Sequence, residues 1–190
     1  MELLKSLYKI NSKSGKEAAI KAFVQGYLAH MDVDIRADES GNLFITKGVA
    51  ESYPCVVAHL DEVHDVEERQ VVVEGDMIYA TDKAGNRVGL GADDKNGVWM
   101  ALRLLEQKPL LKVALFVDEE KLNGEAGCRG SRACDLSEFD NATCLLQCIR
   151  GFDGLQGTEI PHRKGKRKRK ALVQMWGLGV CLSGQTHGNI

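Results

Sequence analysis

The chain has 190 residues, of which 44% are hydrophobic and 27% charged, a composition typical of a globular protein large enough to bury one sizeable core. The formal net charge of -2 gives no overall reason to expect nucleic acid or an anionic membrane as a partner. No apolar run approaches the roughly 18 residues of a membrane helix, and residues 1–15 lack a secretory signal pattern, so a cytoplasmic location is expected.

Two helices are predicted at the start of the chain, at residues 3–8 and 19–28, because apolar side chains recur there at helical spacing. A β-hairpin follows, with strands at residues 33–37 and 43–46 on either side of a turn-forming polar run. The chain therefore begins with a mixture of helix and strand.

Two further strand signals come next. The apolar run at residues 55–58 is typical of a strand buried on both faces, and it ends in a charged cluster. Residues 71–73 and 77–80 flank a polar turn and predict a second hairpin, which is followed by a glycine-rich loop.

The next segment predicts a helix followed by a strand. Apolar side chains share one face over residues 96–105, Pro109 ends the helix, and residues 113–117 form another apolar strand. A weaker helix at 129–134 and a strand at 142–148 complete the pattern. This alternation predicts an α/β sandwich whose functional groups gather at strand ends.

The sequence pattern changes from residue 151 onward, where apolar periodicity is poor and a basic run occupies residues 162–170. We therefore divide the chain into a domain at 1–150 and an atypical basic C-terminal tail at 151–190. The basic run is expected to be solvated. Binding of RNA or an acidic partner through this run is disfavoured, because no aromatic residues interleave with its lysines and arginines to stack bases.

Three clusters of acids and histidines follow predicted strands or loops: HLDEVHD at 59–65, GADDKNG at 91–97 and VDEE at 117–120. Each alone is more often a set of solvated turn residues or a core histidine, but strand ends in an α/β sheet converge on one crevice. An imidazole with several carboxylates is a ligand set that zinc, cobalt or manganese accepts. Magnesium-dependent phosphoryl chemistry is the alternative, and it is disfavoured because no P-loop is present.

The spacing within the clusters indicates which residues can bind metal and which can orient a ligand or act as a base. His59 and Asp61 point to the same side of an extended segment, so one can bind a metal while the other orients it. The adjacent pair Asp93 and Asp94 precedes a helix, where backbone N–H groups favour negative charge and could hold one of the two carboxylates in a bridging position. Glu119 and Glu120 point apart if extended, so that one can bind metal and the other act as a general base on metal-bound water.

These motifs resemble the peptidase T-like zinc exopeptidases, within the group that includes aminoacylases, carboxypeptidases and succinyl-diaminopimelate desuccinylase. The resemblance covers about residues 1–148 and is carried by NSKSGKEAAIKAFVQGYL, VVAHLDEVHD, GLGADDKNGVWMAL and LFVDEEKLNGEAGCRGS in that order. It implies a three-layer α/β sandwich with a mixed central sheet, without the lid domain, and two zinc ions, with Co²⁺ or Mn²⁺ as alternatives.

The resemblance also implies a role for each site residue. His59 would bind one metal, Asp61 would orient it, Asp93 would bridge both metals, Glu119 would be the general base and Glu120 a ligand of the second metal. Relatives of this kind cut the N-terminal residue from a short peptide or hydrolyse an N-acyl bond, so the substrate is expected to be a short peptide or an N-acyl amino acid.

The C-terminal part departs from the family pattern. Ile149 stands where the family places a further acidic ligand, with Asp153 as the candidate replacement, and His187 is the late histidine candidate. A truncated or frame-altered product after about residue 141 is one hypothesis for these departures. The alternative function is a catalytically incomplete fragment or metal-binding remnant of such a peptidase.

Overall fold

The computed structural model describes residues 1–120, 127–149, 170–175 and 179–185. The α-helices in these ranges are α1 (Glu2–Lys9), α2 (Ala18–Leu28), α3 (Ala92–Gln107) and α4 (Arg129–Ala133), with a 3₁₀ helix at Leu136–Phe139. The strands are β1 (Val33–Ala37), β2 (Leu43–Lys47), β3 (Tyr53–His59), β4 (Gln70–Glu74), β5 (Met77–Thr81), β6 (Arg87–Val88), β7 (Leu111–Phe116), β8 (Ala142–Ile149), β9 (Lys170–Met175) and β10 (Gly179–Gln185).

The main sheet has seven strands in the order β1-β2-β7-β3-β8-β10-β9. The central strand β3 pairs in parallel with β7 on one side and β8 on the other, while the other pairings are antiparallel. A separate antiparallel sheet has the order β4-β5-β6. Because β7 and β3 run in the same direction, both end at one edge of the main sheet.

Helices cover both faces of the main sheet. Alternate residues of β3 show this: Val56 and Ala58 face the core formed with α1, α2 and α3, whereas Val57 packs with Phe44 and Phe139 on the opposite face. The larger core is continuous and fully buried at its centre, which includes Leu7, Ile20, Val24, Leu43, Val56, Ala101, Leu102, Leu105 and Leu115. The mixed sheet with flanking helices confirms the predicted α/β sandwich.

The predicted elements recur with shifted boundaries. The helix predicted at 96–105 begins earlier, at Ala92, although Asp93 and Asp94 have non-helical backbone angles. Strand β6 lies in the predicted glycine-rich loop, and strands β9 and β10 were not predicted. The basic run is outside the described residues except for its last position, which begins β9, and the boundary at residue 150 stays a prediction.

Within the ranges given above, no helix is both long and apolar enough to span a membrane.

Candidate metal centre

Parallel pairing of β3 and β7 brings two of the acidic clusters together. His59 at the end of β3 lies beside Phe116 at the end of β7, and Leu60 donates a backbone hydrogen bond to the Phe116 carbonyl at 2.8 Å. The chain continues from these strand ends into Asp61 and into the 118–120 segment. The strand-end rule applied to the sequence therefore accounts for the meeting of residues about 60 positions apart.

Asp94 joins the third cluster to this edge. Its carboxylate accepts a hydrogen bond from the backbone N–H of His59 at 3.2 Å and from that of Gly97 at 3.0 Å, so it links the end of β3 to the first turn of α3. Burial raises the pKa of Asp94 to about 7, although the His59 charge opposes this change. The sequence assigned Asp94 no role, whereas the structure places it as a buried support for both segments.

His59, Asp93 and Glu120 converge on one point. His59 Nε2 lies 3.1 Å from Asp93 Oδ1 and 3.8 Å from Glu120 Oε1, and the three ligand atoms lie within 4.8 Å of one another. The imidazole is largely buried, while the Asp93 and Glu120 side chains are 43% and 37% exposed. The group therefore opens to solvent on the carboxylate side, where a cation or a substrate can enter.

Asp61 holds the other nitrogen of the same imidazole. Its completely buried carboxylate places Oδ1 3.3 Å from His59 Nδ1, and its backbone carbonyl lies 3.0 Å from that nitrogen. The other carboxylate oxygen accepts from the Ser14 hydroxyl and from the Glu120 N–H, the latter at 2.7 Å. Burial alone would raise the pKa of Asp61, but hydrogen bonds from His59, Ser14 and Glu120 lower it.

This arrangement fits a bound cation by the chemistry of its donors. If Nδ1 donates its proton to Asp61, a neutral His59 presents the Nε2 lone pair to the carboxylate oxygens of Asp93 and Glu120, and acceptors facing acceptors repel. Either a proton on Nε2 or a metal ion among the three groups removes that repulsion. Burial lowers the pKa of His59, but hydrogen bonds to Asp61 and Asp93 and the charge of Asp94 raise it well above its usual range.

The two neighbouring glutamates point in different directions. Glu120 joins the group, and its pKa is raised by burial and by the nearby acids Asp93 and Asp61, although His59 opposes this. The Glu119 carboxylate instead accepts hydrogen bonds from the backbone N–H and the hydroxyl of Ser131, both at 2.8 Å. The structure thus brings together His59, Asp61, Asp93 and Glu120 and places Glu119 against α4.

The loop between α1 and α2 supports the site, which the sequence did not predict. Ser14 donates to Asp61, and Glu17, a largely buried acid, accepts from the backbone N–H of Asp118 at 3.0 Å. These contacts join positions 47 and 101 residues apart. A polar, glycine-containing stretch between two apolar helices was the available signal, and it does not by itself specify a partner.

Of the late candidates, Asp153 and His187 lie outside the described residues, and Ile149 is the last residue of β8.

Comparison with known proteins finds a sequence relative, which is a hydrolase, and several structural relatives that are peptidases. No family model matches the chain. A [LysW]-lysine hydrolase from Deinococcus radiodurans is 31% identical over 96 residues, which is 50% of this chain and 24% of the relative.

Solved structures of three peptidases resemble this one. A tripeptidase from Staphylococcus aureus has a TM-score of 0.61 and 24% identity over 75% of this chain and 42% of its own. The aminopeptidase PepT from Bacillus cereus has a TM-score of 0.62 and 20% identity over 90% and 44%. An aminoacylhistidine dipeptidase from Vibrio alginolyticus has a TM-score of 0.61 and 21% identity over 77% and 32%.

The chain spans less than half the length of each of these proteins. At these identities the structural matches establish the fold: the chain has the α/β architecture of the peptidases that it resembles.

Proposed function

We propose that this chain carries the metal site of a metal-dependent peptide hydrolase of the aminopeptidase or tripeptidase type. The observation that carries the proposal is the position of His59 Nε2, which faces the carboxylates of Asp93 and Glu120 while Asp61 holds Nδ1. Structural neighbours that are peptidases, and a sequence relative that is a hydrolase, support the same reaction class.

In this proposal His59, Asp93 and Glu120 would hold the cations, and Asp93 would be the ligand that two of them share. A bound divalent ion would lower the pKa of a water molecule and polarise the scissile carbonyl. Zinc is the expected ion, and cobalt and manganese accept the same donors. Asp61 fixes the imidazole through Nδ1, so that the Nε2 lone pair stays directed at the site.

Glu119 is proposed as the general base. A base must reach the proton that it removes, so its carboxylate has to turn from the Ser131 N–H and hydroxyl toward the site. Glu119 is adjacent to Glu120, which faces His59, and this places its backbone beside the site. The base then accepts the water proton and returns it to the leaving amine.

The substrate class follows from the chemistry of the relatives. The neighbours are named as a tripeptidase, an aminopeptidase and a dipeptidase, and the sequence relative is named as a hydrolase of LysW-lysine. We therefore propose that the substrate is a short peptide or an N-acyl amino acid. A cytoplasmic location belongs to the same proposal.

The test is metal binding followed by peptide cleavage. The full chain, stripped of metal with a chelator, is titrated with Zn²⁺ in a calorimeter and then assayed with tripeptides, dipeptides and N-acyl amino acids. Two bound ions with metal-dependent cleavage support the proposal. His59→Gln is expected to lose binding, and His30→Gln is the matched control because His30 is exposed and lies before β1.

A second candidate is a metal-binding chain that does not turn over. The described residues supply one histidine and two acids to the group, and the chain spans less than half of each compared peptidase. One bound Zn²⁺ without cleavage of any substrate favours this candidate. Absence of Zn²⁺ binding contradicts both candidates.

A further inference from the structure

Three buried charged side chains, which the proposed reaction does not use, belong to the segments that carry the candidate metal centre. The side chains of Lys95 and Arg69 are completely buried, and that of Glu62 is 1% exposed. We propose that Glu62, Arg69 and Lys95, here called the buried triad, are positioning residues that set the distance between His59 and Asp93. This inference rests on the proposed function, because it concerns the geometry of the same site.

One carboxylate oxygen organises the triad. Glu62 Oε1 accepts from Lys95 Nζ at 2.6 Å and from Arg69 Nη2 at 2.8 Å, and it also accepts from the backbone N–H of Ser12 at 3.2 Å. The two basic side chains of the triad also donate hydrogen bonds to backbone carbonyls. Lys95 donates to Ile10 at 2.6 Å and Arg69 donates to Leu90 at 2.8 Å.

These contacts join the two segments that carry the metal ligands. Glu62 directly follows Asp61, whereas Lys95 lies two residues after Asp93 and Leu90 lies three residues before it. A displacement of the triad therefore moves the chain on both sides of Asp93 relative to the end of β3. The backbone of Ile10 and Ser12 fixes the triad to the end of α1.

The loop before Asp93 rests directly on the triad. Gly91 has a positive φ of 71°, and a Cβ at this position would lie 2.3 Å from Glu62 Oε2 and 2.9 Å from Lys95 Nζ. The backbone at Gly91 therefore passes too close to the charged groups for a side chain to fit. Because of this contact, the position of the loop, and hence the position of Asp93, depends on the triad.

Stability alone does not require charges at this place. Burying ions costs desolvation free energy, and replacing a buried ionic triad with apolar side chains of similar volume is often neutral or stabilising. Directed hydrogen bonds to two carbonyls do what apolar packing cannot, because they fix where those carbonyls lie. Groups that orient metal ligands typically contribute about 10- to 100-fold to metal affinity, and the triad would orient Asp93 through the backbone on both sides of it.

The test variant is Lys95→Met, which keeps the length of the side chain and leaves Glu62 paired with Arg69. We expect this variant to fold, to bind Co²⁺ about 10- to 100-fold more weakly than the parent chain in a calorimetric titration, and to show a changed visible Co²⁺ absorption band. The band reports the ligand geometry around the ion, which a change in stability alone does not alter.

Lys112→Met is the matched control. Lys112 is a half-buried lysine of β7 on the other face of the sheet. Like Lys95, it donates hydrogen bonds through Nζ, in this case to the backbone carbonyl of Glu138 and to the side-chain oxygen of Asn141. Its Co²⁺ affinity and absorption are expected to match those of the parent chain.

Failure of the inference and failure of the proposed function give different results. Wild-type Co²⁺ affinity and absorption in Lys95→Met would overturn the positioning role, while absence of Co²⁺ binding to the parent chain would overturn the proposed function. If Lys95→Met does not fold, the variant with Glu62→Met, Arg69→Leu and Lys95→Met removes all three charges together. That variant is expected to fold and still bind Co²⁺ weakly, and parent-like binding by it would refute the inference.

Discussion

At the scale of single residues, the sequence predicted which side chains come together in the candidate metal centre but not what supports them. The segments of His59 and Glu120 meet because a strand-end rule, readable from apolar runs, places the ends of β3 and β7 at one edge of the sheet, and Asp94 joins the segment of Asp93 to the same edge. The direction in which Glu119 points was not readable, because Ser131 reaches it only through the fold of α4. The same is true of Ser14, whose partner is 47 residues away.

The proposed orienting role of Asp61 predicts the effect of a substitution. Asp61→Asn keeps the shape of the side chain but removes the negative charge that the Nδ1 proton of His59 faces, so Zn²⁺ affinity is expected to fall about 10- to 100-fold. Calorimetric titration measures the change. Asp65→Asn is the control, since Asp65 is an exposed acid in the same segment that binds Asn11 and Lys16, and equal losses in both variants would contradict the assignment.

His59 and Asp94 together predict how the stability of the metal-free chain depends on pH. The pKa of His59 is raised well above 6.5 in the folded state, so its stabilising contribution is complete below the unfolded value and is lost as pH rises through the folded one. Burial raises the pKa of Asp94 to about 7, so the folded state also retains this proton more strongly, and the effect has the same sign.

The free energy of unfolding, measured with urea in the presence of a chelator, is therefore expected to fall from about pH 4 to about pH 7 through Asp94 and to fall further above about pH 6.5 through His59. His59→Gln is expected to keep the fall below about pH 7 and to lose the part above it, because only Asp94 still contributes. A wild-type chain whose stability is constant or rises across both parts of this range would refute the raised proton affinity of the pair.

At the scale of elements, a helix or strand could be predicted from the sequence when it is long enough to show a repeating apolar pattern. β3 and β7 are continuous apolar runs, and α3 has four buried apolar residues on one face, so all three were predicted. β6 is two residues long and carries no period to detect. Asp93 and Asp94 have non-helical angles within the first turn of α3, where the Asp94 carboxylate accepts from the His59 N–H, a contact that the local sequence does not reveal.

Two glycines in helices predict opposite effects of one substitution. A Cβ at Gly130 in α4 would lie 2.2 Å from the Val117 carbonyl and 2.5 Å from Asn42 Oδ1, whereas a Cβ at Gly26 in α2 meets nothing within 4 Å. Gly26→Ala is expected to stabilise the fold by about 0.5–1 kcal/mol through helix propensity.

Gly130→Ala is expected to destabilise the fold by about 1–3 kcal/mol, because α4 must move away from the end of β7. Urea unfolding of both variants measures the difference. An equal response of the two glycines would show that α4 does not pack closely against the segment leading to Glu119 and Glu120.

At the scale of the whole molecule, the candidate metal centre lies where three separate parts of the chain come together. The end of β3, the start of α3 and the segment after β7 each supply one ligand, and the loop between α1 and α2 contacts two of these parts. None of these segments holds the group alone. A cation shared among them is therefore expected to act as a link that unfolding must break.

Zn²⁺ should consequently stabilise the folded chain by an amount set by its concentration. A ligand that binds only the folded state adds about 2.7 kcal/mol at 100 times its Kd, and about 4.1 kcal/mol at 1,000 times. We expect the thermal midpoint of the parent chain to rise with added Zn²⁺ and to return to its starting value when a chelator is added. His59→Gln removes the central ligand and should abolish the rise, whereas His30→Gln should retain it. A rise of equal size in both variants would mean that Zn²⁺ binds elsewhere, and the three segments would then meet without sharing an ion.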